Sequence, residues 1–146
     1  MTDTTALKEF DPTRSSRRIN RLISVVQAKT YLEVGVCRGA TFMNVNVGHK
    51  DGVDPSFRFN YKAYGKLNCR FFECTSDEFF YRHADRKYDL IFLDGLHEFK
   101  QTARDFFCSL SFSHDNTLWI IDDVIPSDIF SANPNQDEAL KVRHAH

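Results

Sequence analysis

The chain has 146 residues, the size of one domain with a substantial hydrophobic core. Its 19 basic and 20 acidic residues leave a formal net charge of −1, which gives no electrostatic reason to expect a nucleic acid partner. No apolar run approaches the roughly 18 residues of a membrane span, and the N-terminus lacks the apolar stretch of a signal peptide. We therefore expect one cytoplasmic domain over residues 1–146, with no membrane partner.

The cysteines give no sign of a metal site, because no C-x-x-C pair is present. Cys69 and Cys74 would point to opposite faces of a strand, since side chains alternate along a strand. The sequence therefore predicts reduced, mostly buried thiols rather than a zinc site.

An amphipathic helix is predicted over residues 15–28, within an N-terminal segment of residues 1–29. Its apolar side has four residues at helical spacing: Ile19, Leu22, Ile23 and Val26. Its other side is a basic stripe of four arginines: Arg14, Arg17, Arg18 and Arg21. A solvated face is the simpler interpretation of this stripe, and a phosphate-rich partner is the alternative.

From residue 30 onward, predicted strands alternate with predicted helices. The strands are 31–36, a segment that ends at Asp54 before Pro55, 69–75, 88–93 and 117–121. The helices are 40–46, 57–67, a segment from a Ser76 cap to residue 80, and 97–110. In the last helix, five residues are expected to face inward: Phe99, Ala103, Phe106, Phe107 and Leu110. This alternation indicates an α/β protein with a parallel sheet.

Two apolar runs end in acid at the same relative point, YDLIFLDGLH at 88–97 and LWIIDD at 118–123. If these are neighbouring parallel strands about 5 Å apart, three carboxylates converge with a histidine close by: Asp94, Asp122, Asp123 and His97. Converging carboxylates repel one another, and a divalent ion such as Mg²⁺ relieves that repulsion. The alternative is that these acids are solvated strand ends or helix caps.

The turn after the first strand, E-V-G-V-C-R-G, places Glu33 two residues before Gly35 and Gly39 four residues after it. Glycines let the backbone approach a ligand, and the helix that follows offers free amide donors. The spacing is not G-x-G-x-x-G, so a dinucleotide is disfavoured. Asp54, at the end of the second strand, is placed to accept both hydroxyls of a ribose.

Taken together, YLEVGVCRGATF, GVDPSF, TSDEFF, YDLIFLDGLHEF and WIIDDVIP resemble the class I S-adenosylmethionine-dependent methyltransferases, over about residues 30–126. The resemblance implies a Rossmann-like, doubly wound parallel sheet of about five strands in three αβα layers, with a cofactor-binding core at 30–123. It also implies that S-adenosylmethionine binds along Glu33, Gly35, Val36 and Gly39, with Asp54 on the ribose. Three further residues complete the implied cofactor site, the first two near the adenine: Ser76, Asp77 and Asp94.

The L-D-G-x-H segment is similar to that of metal-dependent sugar and natural-product O-methyltransferases. In those enzymes, acids after the fourth and fifth strands and a histidine assemble around magnesium, a pattern that Asp94, Asp122, Asp123 and His97 match. The resemblance implies O-methylation of a small hydroxylated molecule, with His97 as the base and Asp94 beside it. A base at a helix start is kept neutral by the helix dipole.

The family normally has two further strands, whereas residues 124–146 are predicted to be an irregular tail with at most a short helix at 136–143. The fifth strand is then an open apolar edge, which the tail or a second subunit would cover. An inactive descendant that binds the cofactor or a partner chain without turnover is therefore the alternative function.

Overall fold

The computed structural model describes residues 9–65 and 68–125. Among these residues it contains four α-helices: α1 Arg14–Val26, α2 Ala40–Met43, α3 Ser76–Glu78 and α4 Phe99–Ser109. Its five strands are β1 Thr30–Val34, β2 His49–Asp54, β3 Cys69–Glu73, β4 Leu90–Leu93 and β5 Leu118–Ile121. No helix in the described ranges is long and apolar enough to cross a membrane.

The five strands form one parallel sheet in the order β3-β2-β1-β4-β5. The strand order reverses between β1 and β4, because the chain first winds outward to β3 and then returns to the other side of β1. In such a sheet the crevice at the carboxyl ends of the two central strands is the usual ligand site. The predicted Rossmann-like α/β fold is confirmed.

Two apolar clusters cover the two faces of the sheet. The first contains Ile19 and Ile23 of α1 with Phe42 of α2. The second contains Phe79 and Phe80, which lie in a π-helical turn that continues α3 over Phe79–His83. The sheet is therefore the middle of three layers, as predicted.

The prediction of a helix over 57–67 is wrong in the described part, where only a 3-10 turn at Tyr61–Ala63 is helical. Phe57, Phe59 and Tyr61 occur at every second position, and each ring contacts Phe71 of β3 with centroids 5.5, 5.9 and 5.5 Å apart. A spacing of two does not place three rings on one side of a helix. Aromatic packing on β3 therefore takes the place of a helix here.

The inward face predicted for the fourth helix is partly wrong. Phe106 packs against the second cluster as predicted, but Phe99 and Phe107 are 88% and 66% exposed, whereas Asp105 and Ser109 are buried. A hydrogen bond of 2.9 Å from Trp119 Nε1 of β5 to Ser109 Oγ helps to hold this orientation. Polar Asp105 and Ser109 therefore face the sheet together with Phe106.

Smaller differences concern caps and thiols. The cap of α3 is Thr75, whose hydroxyl accepts the Glu78 amide at 3.2 Å, so Ser76 is the first helical residue. All four cysteines are free, but Cys37 is exposed, against the expectation of mostly buried thiols. The predicted helix at 136–143 lies outside the described residues.

Candidate active site

The turn after β1 brings the ends of the two central strands into close contact. Gly35 has a φ of +95°, and a β-carbon added there would lie 1.9 Å from the carbonyl oxygen of Asp94. The amide of Asp94 donates to Val34 O at 2.8 Å, and the amide of Gly35 donates to Val53 O at 2.8 Å. Gly35 is thus required by the fold itself, besides leaving backbone open toward a ligand.

Asp54 fixes the same turn from the β2 side. Its Oδ2 accepts the Cys37 amide at 2.7 Å, and its Oδ1 accepts the Ser56 amide at 2.8 Å. Gly39 has a φ of +79°, and a β-carbon there would lie 2.9 Å from the Phe59 ring. Each Asp54 oxygen keeps a lone pair free, so the arrangement is compatible with the predicted ribose contact.

Glu33 is fully buried at the centre of this edge. Its Oε2 accepts a 2.6 Å hydrogen bond from the hydroxyl of Tyr31. The pKa of Glu33 is raised to about 8, chiefly by burial and also by nearby Asp94, although the Tyr31 bond and Lys50 act to lower it. A positive charge placed beside a buried carboxyl stabilises its ionised form, so a cationic ligand bound near Glu33 would lower this pKa.

Asp94, Asp122, Asp123 and His97 come together where β4 and β5 end. Leu93 is in register with Ile121, so the segments after them leave the sheet side by side. His97 Nδ1 lies 3.1 Å from Asp123 Oδ2. The pKa of Asp94 is raised to about 6, chiefly by burial and also by Asp122 and Asp123, although His97 acts to lower it.

The backbone explains how Asp123 reaches His97. Asp123 has a φ of +52°, a left-handed conformation that aspartate tolerates better than most residues. His97 precedes α4 by two residues rather than starting it. The helix-dipole argument for His97 is therefore weaker than predicted, because that effect falls off beyond the first turn.

The carboxylates do not form a metal site as they stand. Over residues 9–65 and 68–125, no group of three or more His, Cys, Asp or Glu side chains is arranged to hold an ion. One oxygen of Asp123 is engaged by His97, and Asp122 Oδ1 accepts the Asp123 amide at 3.1 Å. Among the described residues the carboxylates therefore give no support to the predicted magnesium site, which stays a prediction.

Ser76 and Asp77, predicted to lie near the adenine, are held by α4. Gln101 Nε2 lies 3.2 Å from Ser76 Oγ and 3.3 Å from Asp77 Oδ1, and it donates to Asp105 Oδ1 at 2.9 Å. Arg104 donates to Asp77 Oδ2 at 2.9 Å. Sequence reasoning missed these α4 residues, although polar residues at 101, 105 and 109 recur at a spacing of four and so share one helix side.

The chain matches a known protein family. A family model described as a methyltransferase domain matches residues 32–124, a range that runs from within β1 to beyond β5 and includes every predicted site residue. The chain belongs to this methyltransferase family. The prediction of a class I S-adenosylmethionine-dependent methyltransferase, and with it of an enzyme, is confirmed.

Solved structures of methyltransferases share the fold. An O-methyltransferase from Bacillus cereus, in complex with SAH, is 18% identical with a TM-score of 0.67, covering 95% of this chain and 71% of its own. TomG from Streptomyces achromogenes, an O-methyltransferase in complex with SAM, is 15% identical with a TM-score of 0.67, covering 95% and 67%. Cofactor-bound Rv0187 from MTB is 14% identical with a TM-score of 0.72, covering 97% and 69%. No curated protein sequence matches the chain.

Proposed function

We propose that this methyltransferase transfers the methyl group of S-adenosylmethionine to a hydroxyl of a small molecule, with His97 as the general base. The observation that carries the proposal is the 3.1 Å contact between His97 Nδ1 and Asp123 Oδ2, at the carboxyl edge of the sheet and next to the point between β1 and β4 where the strand order reverses. Two of the similar folds are O-methyltransferases bound to SAH or SAM, which supports the choice of cofactor and acceptor atom.

In this proposal Asp123 determines which nitrogen of the His97 ring carries the proton. A proton on Nδ1, on the side of the Asp123 carboxylate, leaves the acceptor lone pair of the imidazole on Nε2. The His97 side chain is 60% exposed, so the hydroxyl of a substrate can approach the ring. A carboxylate that orients a catalytic imidazole also stabilises the imidazolium that forms during proton transfer.

The cofactor, when bound, supplies an electrophilic methyl group on a sulfonium. His97 removes the proton of the acceptor hydroxyl as the oxygen–methyl bond forms and the sulfur–methyl bond breaks. The products are a methyl ether, S-adenosylhomocysteine and a proton on His97 Nε2. Positioning and proton transfer are the contribution of the protein to this reaction.

The cofactor site in this proposal is the turn after β1 with the acids around it. Gly35, Val36 and Gly39 present the backbone, and Asp54 accepts the ribose hydroxyls. Glu33 and Asp94 place negative charge beside the cationic end of the cofactor, which would favour ionisation of both carboxyls on binding. Ser76 and Asp77 lie on the adenine side.

Metal assistance forms no part of the proposed mechanism. The described carboxylates after β4 and β5 do not present an ion-binding group, and Asp123 Oδ2 lies 3.1 Å from His97 Nδ1. A base held by a carboxylate accounts for proton removal without a metal.

Calorimetry with S-adenosylhomocysteine, followed by transfer of labelled methyl from S-adenosylmethionine to a panel of hydroxylated small molecules, tests the proposal. We expect a binding heat, and labelled product that disappears in His97→Gln while that variant still binds S-adenosylhomocysteine. Folded protein that binds neither cofactor form would refute the proposal. Binding without transfer to any acceptor would favour the alternative of a cofactor-binding module without turnover.

A further inference from the structure

A buried carboxylate on α4 lies between the two loops of the proposed site and has no role in the mechanism above. Asp105 is 2% exposed, and a charged group is rarely buried unless its oxygens have partners. Burial raises the pKa of Asp105, while hydrogen bonds from the Ser76 hydroxyl and Gln101 lower it. The carboxyl is therefore held by polar groups on two different elements.

The first loop that Asp105 contacts follows β3. Gln101 Nε2 bonds to Ser76 Oγ, at the start of α3, and to Asp105 Oδ1, at 3.2 and 2.9 Å. Gln101 also lies 3.3 Å from Asp77 Oδ1. These three contacts, called the Gln101 network below, join Ser76 and Asp77 to Asp105.

The second loop follows β4 and carries Asp94 and His97. A β-carbon built on Gly95 would lie 3.7 Å from Asp105 Oδ2, so the carboxylate packs directly beneath the backbone between those two residues. The loop then continues into α4 at Phe99. Asp105 thus touches the adenine side and supports the base side of the same site.

We propose that Asp105 is a positioning residue that couples the cofactor-binding turn after β3 to the loop that holds Asp94 and His97. The proposal rests on the proposed function, because it takes Ser76 and Asp77 as the adenine side. Docking of the cofactor against that turn is transmitted through Asp105 to the loop with the base. Substitution of Asp105 should then weaken cofactor binding and also alter the surroundings of His97.

The experiment uses three variants of the full chain. Asp105→Asn keeps the shape of the side chain but replaces one carboxyl oxygen, a hydrogen-bond acceptor, by an amide nitrogen. Gln101→Ala removes the other side chain of the Gln101 network, and because Gln101 is only partly buried, folding tolerates this change more easily. Ser109→Ala is the matched control, because Ser109 is buried one turn further along α4 and bonds to Trp119 rather than to the cofactor turn. Each is measured for melting temperature, for affinity toward S-adenosylhomocysteine and adenosine, and for the imidazole NMR signals of His97 with and without ligand.

We expect Asp105→Asn and Gln101→Ala to lose affinity for both ligands by about tenfold, as for a lost hydrogen bond to a charged group. The shift of the His97 signals on ligand binding should shrink in both variants. Ser109→Ala should lower the melting temperature and leave affinity and His97 signals unchanged. If Asp105→Asn fails to fold, Gln101→Ala decides the outcome.

If Asp105→Asn and Gln101→Ala both bind S-adenosylhomocysteine and adenosine as tightly as wild type, the proposed coupling is wrong and the proposed function is unaffected. An equal loss of affinity in Ser109→Ala would also overturn the coupling, since the loss would then come from a general destabilisation of α4. Wild-type protein that binds neither ligand would instead overturn the proposed function, and this inference with it.

Discussion

The hydroxyl of Tyr31 donates a 2.6 Å hydrogen bond to Glu33, two residues further along the same central strand. Both side chains are fully buried. Burial raises the pKa of Glu33 from an ordinary value of 4.5 to about 8. Near neutral pH the folded protein without its cofactor therefore carries this carboxyl mainly in the protonated form.

The first prediction follows from this proton. Between pH 4.5 and about 8 the unfolded chain has Glu33 ionised and the folded chain has it protonated, so the free energy of unfolding falls as the pH rises. The slope is at most about 1.4 kcal/mol per pH unit for one group. Glu33→Gln should remove this slope and make the protein more stable than wild type near pH 8.

Denaturant unfolding between about pH 6.5 and 8 measures the effect, above the range in which Asp94, with a pKa of about 6, adds a slope of the same sign. Glu98→Gln is the control, because Glu98 is exposed and its loss should leave the slope intact. Equal slopes in wild type and Glu33→Gln would show that Glu33 is already ionised in the folded protein.

A second prediction concerns the contact between the turn after β1 and the end of β4. Gly35→Ala forces a side chain onto a φ of +95° and places its β-carbon 1.9 Å from Asp94 O. We expect a loss of more than about 1 kcal/mol of stability, with the steric clash adding to the backbone strain. At Gly65 an added β-carbon meets no atom within 4 Å, so Gly65→Ala should unfold like wild type under the same denaturant. Similar stabilities for the two variants would contradict the close approach.

The sequence predicts the sheet well because buried parallel strands are short apolar runs that end in recognisable residues. YLEV, LIFL and LWII all become strands, and the acid or glycine after each identifies the carboxyl edge. This is also why the candidate site could be placed on that edge, although its individual contacts could not.

The errors have a common physical origin. Phe57, Phe59 and Tyr61 form no α-helix because their rings pack on Phe71, a tertiary contact that local propensity does not contain. On α4 the sequence prediction placed apolar Phe99 and Phe107 on the inward face. Polar Asp105 faces inward instead, because Gln101 donates a hydrogen bond to its carboxyl. Functional sites are where local pattern and final structure are expected to disagree.

A third prediction tests the magnesium site predicted from the sequence. An ion that binds only the folded state raises the stability as its concentration exceeds its dissociation constant. The described carboxylates form no ion-binding group. We therefore expect that millimolar magnesium changes neither the melting temperature of wild type nor that of Asp122→Asn. A rise in wild type that Asp122→Asn lacks would restore the metal site.

A fourth prediction concerns the edge of β5. Within the described residues β5 pairs only with β4, and Leu118 and Asp122 direct their amides to Asp89 and Leu93. The alternate amides, at Trp119 and Ile121, point outward, and such an edge pairs readily with another chain. We expect a second copy to cover it, so sedimentation velocity should show association that increases with concentration. A single monomeric species at every concentration would contradict a homo-oligomer through this edge.

The last prediction separates the two members of the proposed base. His97→Gln removes the base and should lower the rate of methyl transfer by about 10²–10⁴-fold. Asp123→Asn keeps the imidazole but replaces a charged oxygen 3.1 Å from Nδ1, so it should lower kcat while the affinity for S-adenosylhomocysteine stays at the wild-type value.

If His97 and Asp123 act in one proton transfer, the double variant should be no slower than His97→Gln alone, since the effects of residues that act as a unit are not additive. Asp122→Asn serves as the neighbouring control, because Asp122 contacts the Asp123 amide rather than the ring. Single-turnover transfer of labelled methyl gives the rates of wild type and of all four variants, and multiplicative losses in the double variant would show that Asp123 acts independently of His97.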